Sequence, residues 1–251
     1  MLLLEEKNAH PRDELIKFKE DGHIYTLNVN NEIVNPLSVT TLIHKFFPHF
    51  DADLILDKMF KSGKLNPKYE GKTKTQIKAE WDENGKTASG LGTLMHADIE
   101  RFLNDIQPLN KNSIEFGYFM NFWTSLTNTY PNLKPFRTEW IVYDEDKNLA
   151  GSIDCILEND KGDLVILDWK RSKEIKYDNR FETGYTPFNK LDNCNYNHYT
   201  LQLNIYRHLL QTKYRKKILY MMLVILHPNN TDYVCIPVQH YDIASVWDKL
   251  F

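Results

Sequence analysis

Three residues in the middle of the chain have the types and spacing to do chemistry: Asp154 in SIDCIL, and Asp168 and Lys170 in LDWK. Side chains alternate across a strand, so Asp168 and Lys170 share one face of LVILDWK and Trp169 takes the other. In SIDCIL the same rule sets Ile153, Cys155 and Leu157 on one face and Asp154 on the opposite one. If these two strands pair as a hairpin-like unit, the two carboxylates and the ammonium converge at one sheet edge. Oxygen ligands of that kind suit a hard divalent cation, Mg2+ or Mn2+, whose charge offsets the repulsion between the carboxylates. Such an ion polarises a phosphoryl oxygen and lowers the pKa of bound water, while the lysine aligns or activates that water. Singly, each residue is better read as a strand-end turn residue or a surface cation; the joint pattern reverses that reading and carries the chemistry.

The elements that must position these residues are legible around them. The segment WIVYDEDKNLAGSIDCILENDKGDLVILDWK reads as three strands joined by turns at Asp-Lys-Asn and Asp-Lys-Gly. LVIL lacks polar alternation, as expected of a strand covered on both faces, and is placed centrally. Upstream, HIYTLNVNNEIVN alternates around Asn30-Asn31 as a hairpin, and Ser38 is positioned to cap a helix over SVTTLIHKFF. A short helix around ADLILDKMF and a polar, lysine-rich stretch fill residues 51–90. From Gly92 a helix is expected with Leu91, Leu94, Met95, Ile99, Phe102, Leu103 and Ile106 on one arc. A second, aromatic helix runs from about Ile114 to Tyr130, where Tyr118, Phe119, Phe122 and Trp123 are either core or base-stacking residues. Trp140, Tyr143 and the Trp169 ring are assigned to packing. The connection from Ser172 to about Asn197 is long enough to be functional or disordered, and is placed near substrate. A helix from about Tyr199 to Lys213, the buried strand ILYMMLVIL, the strand DYVCIPV and a short terminal helix complete the chain.

The pattern Gly-Ser-Ile-Asp154 followed by a hydrophobic run ending in Asp168-Trp169-Lys170 resembles the PD-(D/E)xK nuclease core, with Asp168 at a position more often Glu. Three further segments are similar to its RecB-like exonuclease branch: PLSVTTLI (36–43), GTLMHADIE (92–100), which holds His96, and LQLNIY, which holds Gln202 and Tyr206. The likeness covers residues 36 to 210 in the branch's order. It implies an α/β protein with a restriction-endonuclease-like core: a central mixed sheet flanked by helices, preceded by an N-terminal hairpin and helical extension. On that basis residues 1–251 form a single domain, with 1–90 the extension and 91–251 the core. The resemblance further implies that His96, Asp154, Asp168 and the main-chain carbonyl of Trp169 hold one or two Mg2+ or Mn2+ ions, that Lys170 aligns the attacking water, and that Gln202 and Tyr206 contact nucleic acid or orient the site. Glu100, one turn beyond His96, and Glu139, at the start of the preceding strand, are supporting carboxylates. Gln202 lies near the centre of an apolar helical arc, where it must find partners.

The implied activity is metal-dependent phosphodiester hydrolysis in DNA, as an exonuclease on single-stranded or frayed ends giving 5'-phosphate products, or as a structure-specific endonuclease. It belongs with DNA repair, replication or recombination. The rivals are a non-catalytic nucleic-acid-binding module on the same fold and a protein-interaction domain with chance motifs.

Composition sets the outer limits. The chain has 251 residues, 42% of them hydrophobic and 26% charged, as in an ordinary soluble globular protein. Its net charge of -3 argues against coating nucleic acid, although it allows one local basic groove. Candidates for that groove are Lys213, Arg215, Lys216 and Lys217, or Lys170, Arg171, Lys173 and Lys176. No run of about 18 apolar residues occurs and the start turns acidic after three leucines, so an intracellular, soluble protein without signal peptide or membrane partner is expected. Cys155, Cys194 and Cys235 are scattered, without a CxxC pair, and are expected to be reduced and structural. Iron-sulfur members of the resembled branch need four cysteines, so this chain falls with those lacking the cluster. It carries no helicase motif, and the partners expected are DNA and a separate helicase or replication or recombination protein.

Overall fold

A computed structural model describes residues 2–63 and 65–251; Lys64, in the lysine-rich stretch, lies outside them. The chain is an α/β protein with a mixed central sheet, a separate three-stranded antiparallel sheet, and helices. It divides into two compact units, residues 1–48 with 95–251 and residues 49–94.

In the larger unit, α1 (Leu4–Lys7) leads into β1 (Ile16–Lys19), β2 (Ile24–Val29) and β3 (Glu32–Val34). These form the antiparallel sheet β1-β2-β3. The β2–β3 turn falls on Asn30 and Asn31, both at positive φ (51° and 69°), the geometry a two-residue type I′ hairpin requires. Next come the two-residue β4 (Leu37–Ser38) and α2 (Val39–His44), whose first turn is capped by the Ser38 hydroxyl accepting from the Thr41 N–H at 3.0 Å.

The smaller unit holds α3 (Ala52–Lys61) and the start of α4 (Lys74–Leu103). Leu56, Tyr69 and Ile77 form its buried centre, and the Trp81 indole N–H donates to the Tyr69 hydroxyl at 2.7 Å. The helix expected from Gly92 therefore begins eighteen residues earlier, at Lys74. Gly85, Gly90 and Gly92 look like breakers, yet each costs only about 1 kcal/mol inside a helix, and Ile77 and Trp81 anchor its first turns. The expected apolar arc is correspondingly shorter: Met95, Ile99 and Leu103 are buried, whereas Leu91, Leu94 and Ile106 are exposed.

From Met95 onward the chain is again in the larger unit, with α5 (Ile114–Thr129), β5 (Lys134–Asp144), β6 (Leu149–Glu158), β7 (Leu164–Lys170), α6 (Asn195–Thr212), β8 (Ile218–Ile225) and β9 (Val234–Pro237). The central sheet runs β4-β6-β7-β8-β9, with β5 also paired to β6. β6 and β7 are antiparallel, β7 and β8 parallel, and β7 is buried on both faces, as its unbroken apolar run requires. Met95, Ile99 and Leu103 of α4 and Phe116, Phe119 and Phe122 of α5 pack on one face, against Cys155, Leu157, Val165, Leu167 and Trp169. Leu201, Leu203, Ile205, Leu209 and Leu210 of α6 pack on the other, against Trp140, Ile156, Ile166 and Leu223. The aromatics of α5 are thus core, with Phe119 and Phe122 against the Trp169 ring.

Two expectations need correcting. Ile153 packs in the α6-side cluster while Cys155 and Leu157 pack in the other, so β6 does not alternate regularly through Asp154. On the neighbouring strand the β5–β6 register pairs Thr138 with Cys155 and Trp140 with Ile153, so the unpaired Glu139, whose φ is +43°, faces Asp154. Cys155 and Cys194 are buried as expected of structural residues, but Cys235 is exposed on β9, an edge strand. Among the described residues no helix is long and apolar enough to cross a membrane.

Candidate active site

The site forms where the central ladder opens. β6 pairs with β4 only at Leu149 and Ala150 and with β7 only from Cys155 onward, leaving Gly151 to Asp154 without a strand on that side among the described residues. Extending the β6–β7 register one step places Asp154 opposite Asp168, so the carboxylates meet where the ladder between two central strands ends rather than at a lateral sheet edge. Where the backbone ladder stops, a side chain continues it: the Trp169 N–H donates to Asp154 Oδ2 at 2.8 Å.

Asp168 and Lys170 share a face as alternation requires, and Lys170 Nζ pairs with Asp168 Oδ2 at 2.7 Å. Both are secluded, with the Asp168 side chain 3% and that of Lys170 18% exposed. This contact is an ion pair without a well-directed hydrogen bond to Oδ2, which keeps that oxygen's lone pairs partly uncommitted. Burial alone would favour neutral Lys170, but Asp168 and Asp154 outweigh it and hold the ammonium above its ordinary range.

His96 reaches the strand ends from α4, anchored by Met95 and Ile99 in the core beneath it. Its Nε2–H donates to the Trp169 carbonyl at 3.0 Å, and its Nδ1 stands 3.6 Å from both Glu139 Oε1 and Asp154 Oδ2. Burial lowers the imidazole pKa, but Asp154 and Glu139 overcome that effect and carry it up to about 9. Asp154 shifts upward through burial and then through Asp168, opposed by His96 and Lys170. One ligand atom each from His96, Glu139 and Asp154 lie within 4.8 Å of one another, as a metal-binding group would.

The predicted residues are therefore brought together unequally. His96, Asp154, Asp168, Lys170 and the Trp169 carbonyl share one locality. Glu139, expected only as support, is a full member of the three-ligand group, presented by its left-handed backbone and fixed by the Ser152 hydroxyl, which donates to Oε2 at 2.8 Å. Glu100 is outside that group; burial, then Glu139, shifts its carboxyl upward. Gln202 donates to the Tyr206 hydroxyl at 3.1 Å, and the Tyr206 ring is buried beside Gly151, where an added Cβ would lie 2.6 Å from Cε1. In this structure the two side chains bond one another, and the Tyr206 ring fills the space beside Gly151. Of the two basic runs, Lys213 is taken up by Asp144 and Asp146 at 2.9 and 2.6 Å, and Lys217 by Asp163.

Ser152 and Tyr199 were not anticipated. Ser152 bonds Glu139 across the β5–β6 pair, and because alternation breaks at Asp154 the period-2 rule gives no sign of it. The Tyr199 ring lies 4.8 Å from Lys170 Nζ, a contact across elements that no local pattern announces.

No protein-family model matches the chain, and no curated protein does. Among solved structures the chain is similar to one described as "Crystal structure of SSO0001", at 15% identity and a TM-score of 0.31, over 98% of this chain and 78% of that one. A likeness that weak carries no argument about fold or activity.

Proposed function

We propose that the chain is a metal-dependent deoxyribonuclease with a restriction-endonuclease-like core, a member of the RecB-like branch of the PD-(D/E)xK superfamily. The observation that carries this is the convergence of His96, Glu139 and Asp154 beside the buried Asp168–Lys170 pair. The convergent donor set, one imidazole and the Glu139 and Asp154 carboxylates with Asp168 nearby, fits Mg2+ or Mn2+, with the imidazole favouring the softer Mn2+, while the Trp169 carbonyl orients the histidine. A bound ion would supply Lewis-acid polarisation of a phosphodiester oxygen and a more acidic water.

The chain's own residues supply the rest. The Asp154 carboxylate is oriented by the Trp169 N–H, and Glu139 by Ser152. Lys170, cationic and partly shielded from solvent, faces the same locality and is placed to orient a water against the scissile phosphate. An exonuclease on single-stranded or frayed ends, working with a separate helicase or replication partner, is the form the motif order favours.

The test is digestion of 5'- and 3'-labelled single-stranded, duplex and flapped DNA with Mg2+ or Mn2+, by wild type and Asp168→Asn. Metal-dependent cleavage lost in a folded Asp168→Asn variant supports the assignment. Undiminished cleavage in that variant, or none by wild type, sinks it.

A further inference from the structure

We infer that Tyr199, Tyr196 and Tyr177 form an aromatic track that stacks the unpaired bases of single-stranded DNA leading to the site; this rests on the nuclease reading above and narrows its substrate. The track starts at the candidate chemistry, because the Tyr199 ring lies 4.8 Å from Lys170 Nζ. Tyr196 lies three residues earlier on α6, and helical residues at that spacing are surface neighbours about 5–6 Å apart. The Tyr177 ring packs on that of Tyr196 with centroids 4.7 Å apart and planes inclined at 44°. Tyr196 and Tyr199 are half-buried, and Tyr177 is 57% exposed.

This arrangement is held in place rather than left to a loose loop. The Asn195 side chain accepts from the Lys176 N–H at 2.8 Å and donates to the Glu174 carbonyl at 2.8 Å. The Tyr196 N–H donates to the Lys176 carbonyl at 3.3 Å. A preset ring face loses little entropy when a base stacks on it. These bonds fix the main chain beside the Tyr177–Tyr196 contact; Tyr196 and Tyr199 also pack on the core, and the Tyr177 ring is the solvent-facing member.

Charge supports the same occupant. Arg171 is taken up by Glu115 at 2.7 Å, and residues 173–180 carry Lys173, Lys176 and Arg180 against Glu174 and Asp178, a locally positive stretch in a chain whose net charge is -3. Lys173, Lys176 and Arg180 are exposed alongside Tyr177, where a phosphate backbone would pass. Stacking on aromatic rings beside cations is how single strands are held without reading their sequence, and a duplex offers its base faces only at its ends.

The measurement is fluorescence anisotropy of a fluorescein-labelled single-stranded oligo(dT), and of a duplex of equal length, titrated with the full chain in EDTA so that no cleavage intervenes. Tyr177→Ala should weaken single-strand binding about five- to a hundredfold, the range for one lost base–aromatic stack, with duplex binding unchanged. Tyr177→Trp should restore it, and an iodouracil-substituted strand should crosslink to Tyr177 or Tyr196. Unchanged single-strand binding in Tyr177→Ala, equal losses for strand and duplex, or failure of Tyr177→Trp to restore affinity would each overturn the track. Tyr177-dependent binding by a wild type that cleaves nothing with Mg2+ or Mn2+ would keep the track and discard the nuclease. Cleavage that ignores Tyr177 would do the reverse.

Discussion

The His96 imidazole donates through Nε2 to the carbonyl of Trp169 at 3.0 Å, which fixes the ring and leaves Nδ1 facing Glu139 and Asp154. One residue of α4 is thus oriented by the main chain of β7 toward carboxylates of β5 and β6, so four elements define one locality. With Nε2 so engaged, Nδ1 is the nitrogen open to a ligand role, and the carboxylates that hold the ring cationic mean that an ion would have to displace the Nδ1 proton.

If the group binds an ion, His96→Ala and Glu139→Gln should each weaken Mn2+ binding by about tenfold or more, measured by isothermal titration calorimetry. Both side chains are partly exposed, so melting temperatures should move little. Wild-type affinity in both variants would remove them from the metal site.

Lys170→Ala should destabilise the fold by about 3 kcal/mol, because it strands the Asp168 carboxylate without its counter-charge in a secluded place. Mg2+ or Mn2+ should recover part of that loss in the variant, since an ion would replace the missing ammonium. Urea denaturation with and without metal reads this directly, and a loss indifferent to metal would argue that no ion reaches Asp168.

Gly151 has no room for a side chain, since an added Cβ would stand 2.6 Å from Tyr206 Cε1 and 3.1 Å from Val39 Cγ2. Gly151→Ala should cost about 1–3 kcal/mol from overpacking, and Tyr206→Leu in the same chain should recover much of it. Additive losses in the double variant would show that the ring is not what fills the space.

His198 predicts a pH dependence of stability. Burial, then the neighbouring His44, lowers its pKa from 6.5 to about 4, and its Nε2 has no hydrogen-bond partner. Above about pH 6.5 both folded and unfolded chains hold it neutral. As pH falls toward 4 only the unfolded chain takes up the proton, so stability is lost across that window and levels off below it. His198→Phe, which can keep the packing on Phe47, should flatten that loss between pH 7 and 4.5 in urea titrations. An unchanged pH profile would show that His198 does not carry it.

Much of this arrangement could be read before the structure because it obeys short-range rules. The Asn30-Asn31 hairpin, the Ser38 cap, the three strands around Asp154 and Asp168, and the pairing of Lys170 with Asp168 all follow from alternation, turn chemistry and capping. What could not be read depends on contacts distant in sequence. The early start of α4 needed the core around Leu56 and Tyr69 to be known. The central position of Glu139 needed its left-handed φ, which leaves no trace in a string of strand-forming residues. The inward Gln202 satisfied its polarity on Tyr206 one turn away, which the helical wheel permits but does not demand.

The opening in the ladder between Ala150 and Cys155 sets the fold's stability against its use. Substitutions that let β4 or β7 zip further along β6 would add backbone hydrogen bonds and tighten the sheet. They would also draw Asp154 into the ladder, away from His96 and Glu139. If the group binds an ion, screens for thermostable variants of this chain should therefore turn up winners around Gly151–Asp154 that hold it less well.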